Sequence, residues 1–347
     1  MLRTCGRLIV FFLFLTLLMG LNGVPARAAD GPGMKHPGVP APEEGKITAA
    51  AGLKEEGKKE EAEKKAPENG CPATFGPIIT DTAVPIDKGK FSVQPTFGLG
   101  FVTNSFSPNW RRVSAGGNFT SFGMVWKFSY GLWNNLEVNV GVPYFHNWAS
   151  SVTVPGPGGG CSADFGGLGD VALTMKYRLV EESETRPTVT ALFAAGFPTG
   201  HFKRLNPGLL GVDALGGGSY AFVTGLNLSK YLKPFIFYGN IWYFMQTAFT
   251  DDGGRNYPRD VVRVNLAAEY PITKKWVALL ELTSFWDAGR LFGHKANVPP
   301  GAMLSITPGI EYMATEKFSL ALGVSVDLIG KNGNAAVTPL LSMVYAF

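Results

Sequence analysis

The chain has 347 residues and a net charge of +4 at pH 7, and only 17% of its residues are charged, below the roughly 25% of soluble globular domains. Its 44 glycines and its 12% of aromatic residues favour many strands joined by tight turns. The small basic excess is not gathered on a stripe or patch, so the sequence predicts no nucleic-acid partner.

Residues 1–28 have the three parts of a secretory signal peptide. Two arginines precede the apolar run LIVFFLFLTLLMGL, and the tripeptide ARA, which ends at Ala28, offers a small-x-small cleavage site. An uncleaved anchor is the alternative, and it is disfavoured because the apolar run is short for a membrane-spanning helix. We therefore expect an exported protein that is cleaved near Ala28.

Residues 29–70 are rich in Gly, Pro, Ala, Lys and Glu and include LKEEGKKEEAEKKAPENG. A segment of this composition cannot bury enough apolar surface to form a core, so we expect it to be disordered and solvated. Binding to the periplasmic cell wall is a second interpretation of the same segment.

Residues 90–347 show a two-residue alternation of large apolar residues with small or polar ones. In KFSVQPTFGLGFV, for example, Phe91 and Val93 alternate with Ser92 and Gln94. Twelve such segments follow one another, and each has about the 9–11 residues that a tilted membrane-spanning strand needs. The pattern predicts an all-β fold.

Three features favour a transmembrane β-barrel over a soluble β-sandwich. The polar face carries formal charges, the apolar face has aromatic residues near the segment ends, and short connections alternate with long ones rich in Gly, Pro and Asn. We expect an antiparallel up-and-down barrel of about twelve strands in the outer membrane of a Gram-negative bacterium, with the short turns in the periplasm. The side chains predicted to line its lumen are Lys127, Glu137, Asn139, Asp170, Lys176, Arg178, Asn240, Arg263, Glu269, Glu281, Glu311 and Asp327.

The last predicted strand, TPLLSMVYAF, ends on an aromatic residue. We expect Phe347 to face the outer-membrane lipid while this strand closes the barrel and leaves no unpaired edge. Many outer-membrane barrels resemble this chain in ending on an aromatic residue. The resemblance implies that Tyr345 and Phe347 form the signal by which the barrel-assembly machinery recognises the C-terminal strand.

Several stretches of the barrel region also resemble one known family. GPIITDTAVPIDKGKFSVQPTF, GGLGDVALTMKYRL, GFPTG and PFIFYGNIWYF extend the likeness over roughly residues 76–347. They are similar to outer-membrane transporters named for the phenol meta-cleavage degradation pathway. The resemblance implies an outer-membrane channel for aromatic or other small apolar compounds.

The sequence offers no residue group that enzyme catalysis or a cofactor would need. The histidines, His36, His146, His201 and His294, fall in the tail or in predicted loops, without a nucleophile motif or closely spaced zinc ligands beside them. The run GGLGDV opens a strand and not a helix, which argues against a dinucleotide site, and DDGG is expected to be a turn and not a calcium loop. We expect no enzyme, no cofactor and no metal.

The lumen is expected to be narrow or gated, because twelve strands lie between barrels filled by side chains and the sixteen-stranded open porins. Six of the predicted inward charges are acidic and four are basic, so an ion-pair network that fills the bore and a conduction path are both open interpretations. In PFIFYGNIWYFMQ, Trp242 and Phe244 face the lumen if Asn240 does. A bulge or a reversed phase would turn these rings to lipid, and this second orientation is favoured because lipid-facing aromatics are common.

Cys71 and Cys161 are the cysteines left after export, in a compartment where disulfides persist. Cys161 falls in a predicted outer loop, so the two meet only if residues 71–89 cross the lumen. An extended chain of that length spans roughly 60 Å, against a hydrocarbon core of about 30 Å. We predict that residues 71–89 plug the lumen and that a Cys71–Cys161 disulfide tethers them, with two free thiols as the alternative.

These observations predict an outer-membrane channel for passive uptake or efflux of small hydrophobic or aromatic molecules. The alternative is a non-conducting barrel with a structural role or one that displays its loops for adhesion. An outer-membrane enzyme is a less favoured third hypothesis.

Overall fold

The computed structural model describes residues 74–152, 161–252, 254–258, 260–292 and 296–347. Within these residues almost all regular structure is β-strand, with one short 3-10 helix at Pro207–Leu209. None of the helices in the described part is long and apolar enough to cross a membrane. The strands are β1 (Phe91–Phe106), β2 (Arg112–Val113), β3 (Asn118–Trp133), β4 (Leu136–Val152), β5 (Cys161–Leu168), β6 (Val171–Val180), β7 (Thr188–Phe197), β8 (Ala221–Leu232), β9 (Phe235–Gln246), β10 (Phe249–Asp251), β11 (Gly254–Pro258), β12 (Val261–Pro271), β13 (Trp276–Asp287), β14 (Arg290–Phe292), β15 (Ala296–Val298), β16 (Gly301–Thr315), β17 (Phe318–Lys331) and β18 (Gly333–Ala346).

Twelve of these strands form a closed antiparallel barrel. Their order is β1, β3, β4, β6, β7, β8, β9, β12, β13, β16, β17 and β18, and β18 pairs back onto β1 with Phe97 opposite Leu341. Closure leaves no row of unpaired backbone N–H and C=O groups along the wall, as a strand structure in lipid requires. The predicted twelve-stranded up-and-down barrel is therefore confirmed.

Each barrel strand alternates exposed apolar residues with buried, mostly polar or small ones. On β9, Phe237 and Ile241 are exposed on the outside of the barrel, whereas Tyr238, Asn240 and Phe244 are buried inside it. The favoured expectation that the rings of Tyr238, Trp242 and Phe244 face lipid is therefore wrong. Every second residue of a strand lies on the same face. Because Asn240 lies on the inner face, Tyr238 and Phe244 lie there too.

The two ends of the barrel differ in the length of their connections. At one end, which we call the short-turn end, the connections cover residues 134–135, 181–187, 233–234, 272–275 and 316–317. At the other, the long-loop end, all connections but one are longer, and they carry β2 and the separate sheet of β10, β11, β14 and β15. The exception is the single residue Asn332 between β17 and β18. Strands β3 and β4 have 16 and 17 residues, so they extend beyond the length that a membrane requires.

The wall has one break in its regular pairing. The half of β4 nearer the long loops pairs with β5, the other half pairs with β6, and Gly169 and Asp170 lie between β5 and β6. The N–H of Gly169 still binds the carbonyl of Pro143 at 3.0 Å, so the two pieces follow one line along β4. Asp170, predicted on a strand, therefore sits at a bend, where its side chain is available to hold a loop.

Candidate solute pathway through the barrel

Residues 74–87, called here the inner segment, run through the bore without regular secondary structure. Proline at two positions and a bend at Gly76 keep the segment out of a helix or a sheet, so its backbone N–H groups need other partners. The inward side chains of the barrel provide those partners, and carboxylates provide most of them. The inner segment is therefore held by hydrogen bonds and ion pairs with the wall.

Glu281 on β13 makes the densest of these contacts. Its Oε1 accepts from the N–H of Ile78 at 2.8 Å, and its Oε2 accepts from the N–H of Thr80 at 2.6 Å. The N–H of Ile79 lies within 3.2 Å of both oxygens. A buried carboxylate that accepts several backbone N–H groups is a strong, charge-assisted anchor. Next to it, the side chain of Ile78 packs on Leu279 and Leu340 of the wall.

Asp81 forms the centre of a second cluster on the opposite wall. Its carboxylate lies 3.2 Å from the ammonium groups of both Lys127 and Lys176 and accepts a 2.8 Å hydrogen bond from Asn227. Its backbone N–H and C=O bind the side-chain amide of Asn240 at 2.9 and 2.8 Å. Glu137 on β4 also lies 3.6 Å from the ammonium group of Lys176. The inner segment thus supplies one of the two carboxylates that balance the two lysines of the bore.

The pKa of Asp81 reflects this cluster. Burial raises the pKa, but the positive charges of Lys127 and Lys176 together lower it by more than burial raises it. The pKa therefore falls from 3.8 to about 2. Because the pKa is lowered on docking, the ionised carboxylate stabilises the docked segment at every pH above the ordinary value, and this contribution is lost only as the pH falls through about 2.

Both ends of the inner segment lie near the short-turn end. Thr74 donates to Glu311 at 2.7 Å, four residues from the end of β16, and the N–H of Ile86 donates to Glu137 at 3.0 Å, one residue into β4. Asp87 then packs on Gly131, where an added Cβ would come within 2.0 Å of the Asp87 carbonyl oxygen. The inner segment therefore crosses the bore as a shallow arch and does not run along it.

A cavity of about 280 Å³ lies between the inner segment and the long-loop end, and we call it the chamber. Ile79 and Asp81 contribute to its floor. Its wall combines apolar and polar side chains from strands all round the barrel. The wall residues include Gln94, Thr96, Val125, Lys127, Asn139, Pro143, Thr174, Leu192, Val223, Trp242, Phe244, Arg263, Thr338 and Leu340.

The long connection 198–220 folds inward over the long-loop end. Val212 is fully buried, and its carbonyl accepts from the Asn147 side chain at 3.1 Å. Asp170 accepts from the N–H groups of Gly200 at 2.9 Å and Gly217 at 2.7 Å, so it binds both the first and the last part of this connection. The long-loop end is therefore narrowed by a folded loop whose position depends on Asp170.

The other predicted lumen residues have local partners. Asn139 donates to Glu137 at 3.2 Å, Glu269 accepts from the hydroxyl of Tyr238 at 2.9 Å, and Asp327 accepts from Ser305 at 2.6 Å. Arg178 lies near the short-turn end, where its guanidinium binds the side chain of Asn135 at 2.8 Å. Arg263 lies over the ring of Phe244, with 5.4 Å from its Cζ to the ring centroid.

The sequence pattern missed Asp81 and Asn227 as members of this pathway, and it gave Trp242 only as the less favoured of two alternatives. Asp81 carries the first charge after a run of uncharged residues that starts at 69, and that isolation was the available signal. Asn227 receives the Trp242 indole N–H at 2.8 Å, a contact between neighbouring strands that spacing along the chain does not reveal.

The cysteine prediction falls partly outside the described residues, because Cys71 precedes them. Cys161 is an exposed, free thiol at the start of β5, which pairs with the last residue of β4 at the long-loop end. Thr74, three residues after Cys71, lies near the short-turn end. The Cys71–Cys161 disulfide stays a prediction, and the position of Thr74 does not favour it.

The histidines are arranged differently from the expectation. His146 lies within β4, and not in a loop, where its ring stacks on Trp148 and its Nε2 lies 3.2 Å from Asp164. His201 lies in the connection 198–220, as expected, whereas His36 and His294 are outside the described residues. No group of three metal-ligating side chains occurs in the part of the chain that the structure describes.

A closed barrel of twelve antiparallel strands, with an apolar outer face and a polar interior, defines the class of outer-membrane β-barrels. A family model described as "Putative MetA-pathway of phenol degradation" matches residues 82–338. The chain belongs to this family, which confirms the resemblance seen in the sequence. No curated protein matches the chain in a sequence search.

Solved structures of outer-membrane barrels resemble the chain. An outer-membrane channel from Pseudomonas putida F1 has a TM-score of 0.61 and 16% identity, over 76% of this chain and 98% of that one. The NanC porin has a TM-score of 0.43 at 12% identity, over 74% of this chain and 98% of that one. The NalP translocator domain from Neisseria meningitidis has a TM-score of 0.42 at 13% identity, over 76% of this chain and 90% of that one. The likeness to the Pseudomonas channel shows a shared fold.

Proposed function

We propose that the protein is a passive outer-membrane channel for small molecules and that the inner segment closes it. The observation that carries the proposal is the chamber, a cavity of about 280 Å³ inside a closed barrel, with a floor held in place by non-covalent contacts. The description of the family model supports aromatic compounds as the solute class. The name of the Pseudomonas protein with the shared fold, an outer-membrane channel, supports a transport role over an enzymatic one.

Two strands of the wall carry polar side chains whose burial would be relieved if the bore opened, which supports a gate over a permanent filling. The side-chain amide of Asn265 and the hydroxyl of Thr307 are fully buried and make no hydrogen bond within the described residues. An unsatisfied buried polar group costs about 1–3 kcal/mol. Water would satisfy these groups once the segment left, so the open state recovers part of the free energy of docking.

Bilayer conductance tests this proposal directly. A variant that lacks residues 74–87 is expected to conduct through large, steady openings, whereas the full-length protein stays mostly closed. Deletion of residues 45–58, which is equally long, is the control and should leave the closed state unchanged. Liposomes that hold the first variant should also swell in toluene-saturated or phenol-containing isosmotic medium. Absence of conductance and swelling in all three proteins would reject the channel.

A non-conducting barrel that presents its loops remains the second candidate, and the inward fold of the connection 198–220 favours it. In that case the bore stays sealed even without residues 74–87, and deletion of the loop alone produces the phenotype. The same conductance measurements separate the two functions.

We also propose that Tyr345 and Phe347 form the recognition signal for the barrel-assembly machinery. The Phe347 ring lies 4.7 Å from Tyr345 and 5.5 Å from Phe91, and its N–H donates to the Phe91 carbonyl at 2.8 Å. Deletion of Phe347 is expected to reduce strongly the heat-modifiable, membrane-inserted form in cells. Phe197→Ala, which removes another exposed ring, is the control, and equal losses in the two variants would contradict a specific signal.

A further inference from the structure

The chamber has one wall in which an arginine is flanked by two aromatic rings. Arg263 on β12 is paired in register with Trp242 on β9, and Phe244 is the next residue of β9 on the same inner face. The guanidinium lies over the Phe244 ring at 5.4 Å from its centroid. All three residues line the chamber.

The orientation of Trp242 is fixed from behind. Its indole N–H donates to the Oδ1 of Asn227 at 2.8 Å, and the side-chain amide of the same asparagine donates to Asp81 at 2.8 Å. The N–H of Trp242 is therefore satisfied by the wall, and the apolar ring is the part that it offers to the chamber. Aromatic rings held in this way favour offset or edge contacts with a second aromatic ring.

The charges of the other chamber residues are already used for structure. Lys127 is paired with Asp81, and Asp170 accepts two backbone N–H groups of the connection 198–220. Arg263 differs because its guanidinium is a planar fork of five donors, which matches the two oxygens of a carboxylate even when some donors also bind the wall.

We propose that Trp242, Phe244 and Arg263 form a binding site for small aromatic carboxylates inside the chamber. The ring of the solute packs against Trp242, and its carboxylate binds the guanidinium of Arg263. The largely buried ring of Phe244 holds that guanidinium in position. A volume of about 280 Å³ lies just below the range for small-molecule pockets, roughly 300–1,000 Å³, and so suits a solute of one or two rings. This proposal rests on the proposed channel function and specifies its solute class.

Calorimetric titration of the purified full-length protein in detergent with benzoate tests the site. Benzoate is expected to bind more tightly than benzamide, which has the same shape without the charge, and than cyclohexanecarboxylate, which has the charge without the flat ring. Arg263→Gln should weaken benzoate binding about tenfold or more, because charge-assisted hydrogen bonds are lost, and should leave benzamide binding unchanged. Trp242→Leu should weaken both aromatic probes.

Arg178→Gln is the matched control, because it removes an inward arginine outside the chamber and should not alter benzoate binding. Arg263→Lys keeps the charge and loses the fork, so it serves as the second variant if Arg263→Gln loses the heat-modifiable fold. Equal affinity for benzoate and benzamide, or unchanged benzoate affinity in the folded Arg263 variant, overturns the proposal. If benzoate binds as expected but no variant conducts, the channel function fails and the binding site stands.

Discussion

Replacing Asp81 by asparagine is expected to release the inner segment and open the barrel. Two lysines of the bore, Lys127 and Lys176, lie 3.2 Å from this carboxylate. Lys176 is almost completely buried, and it would keep only Glu137 at 3.6 Å as an ion-pair partner. Removal of one partner of a buried ion pair costs about 3–5 kcal/mol. Undocking relieves much of this cost, since water then reaches both ammonium groups, so the segment is released while the barrel stays folded.

The release can be measured with a cysteine at Ala83, which is fully buried in the docked segment. In a background with Cys71→Ser and Cys161→Ser, a thiol reagent should label Ala83→Cys slowly in the parent and rapidly after Asp81→Asn. Asp164→Asn, which removes a carboxylate that pairs with His146 on β4, is the control. Equally slow labelling in the Asp81→Asn protein would show that the ion cluster does not hold the segment.

The second large effect is expected for Glu281→Gln. The carboxylate binds the three backbone N–H groups of Ile78, Ile79 and Thr80, at distances between 2.6 and 3.2 Å. Glutamine keeps one acceptor oxygen and directs an NH₂ group at backbone donors, so at least one N–H loses its partner. Each buried donor left unsatisfied costs about 1–3 kcal/mol, which weakens the docking without removing an ion pair.

Single-channel recording provides the measurement for this change. Glu281→Gln should raise the fraction of time that the channel spends open, although less than deletion of residues 74–87. Glu316→Gln, in the exposed turn after β16, is the matched control and should behave like the parent. A closed state as stable as that of the parent would mean that the apolar packing of Ile78, and not the carboxylate, holds this part of the segment.

The two anchors act in different ways, which makes their combination informative. Glu281 binds backbone N–H groups, so this contact does not depend on which side chains residues 78–80 carry. Asp81 is held by its own side chain, so its identity matters. Because the two anchors bind neighbouring residues of one segment, the effects of the paired substitutions are expected to be non-additive.

The alternation of the barrel strands was sufficient to predict the fold class, the strand number and the membership of most inward residues. A strand has a period of two, and a closed barrel in lipid places apolar side chains on its outer face and most of its polar ones on the inner face. The favoured orientation of β9 was wrong because both of its faces carry aromatic rings. There the polar residue Asn240, bound to Asp81, fixes the phase.

Family membership could also be predicted from the residues, since short motifs such as GGLGDV and GFPTG carry the resemblance. The bend at Gly169 and Asp170 could not be predicted in the same way. Its pattern continues that of β6, and only the pairing of β4 with two successive strands shows that the wall breaks there.

The sequence by itself thus determined the twelve-stranded barrel, because periodicity, charge and connection length are local properties. Only the tertiary structure decided what the inward charges do. Glu281 meets Ile78 across 203 positions of sequence, and Asn240 meets Asp81 across 159. Contacts of that separation depend on how the closed barrel brings distant strands round one bore, and no spacing along the chain encodes them.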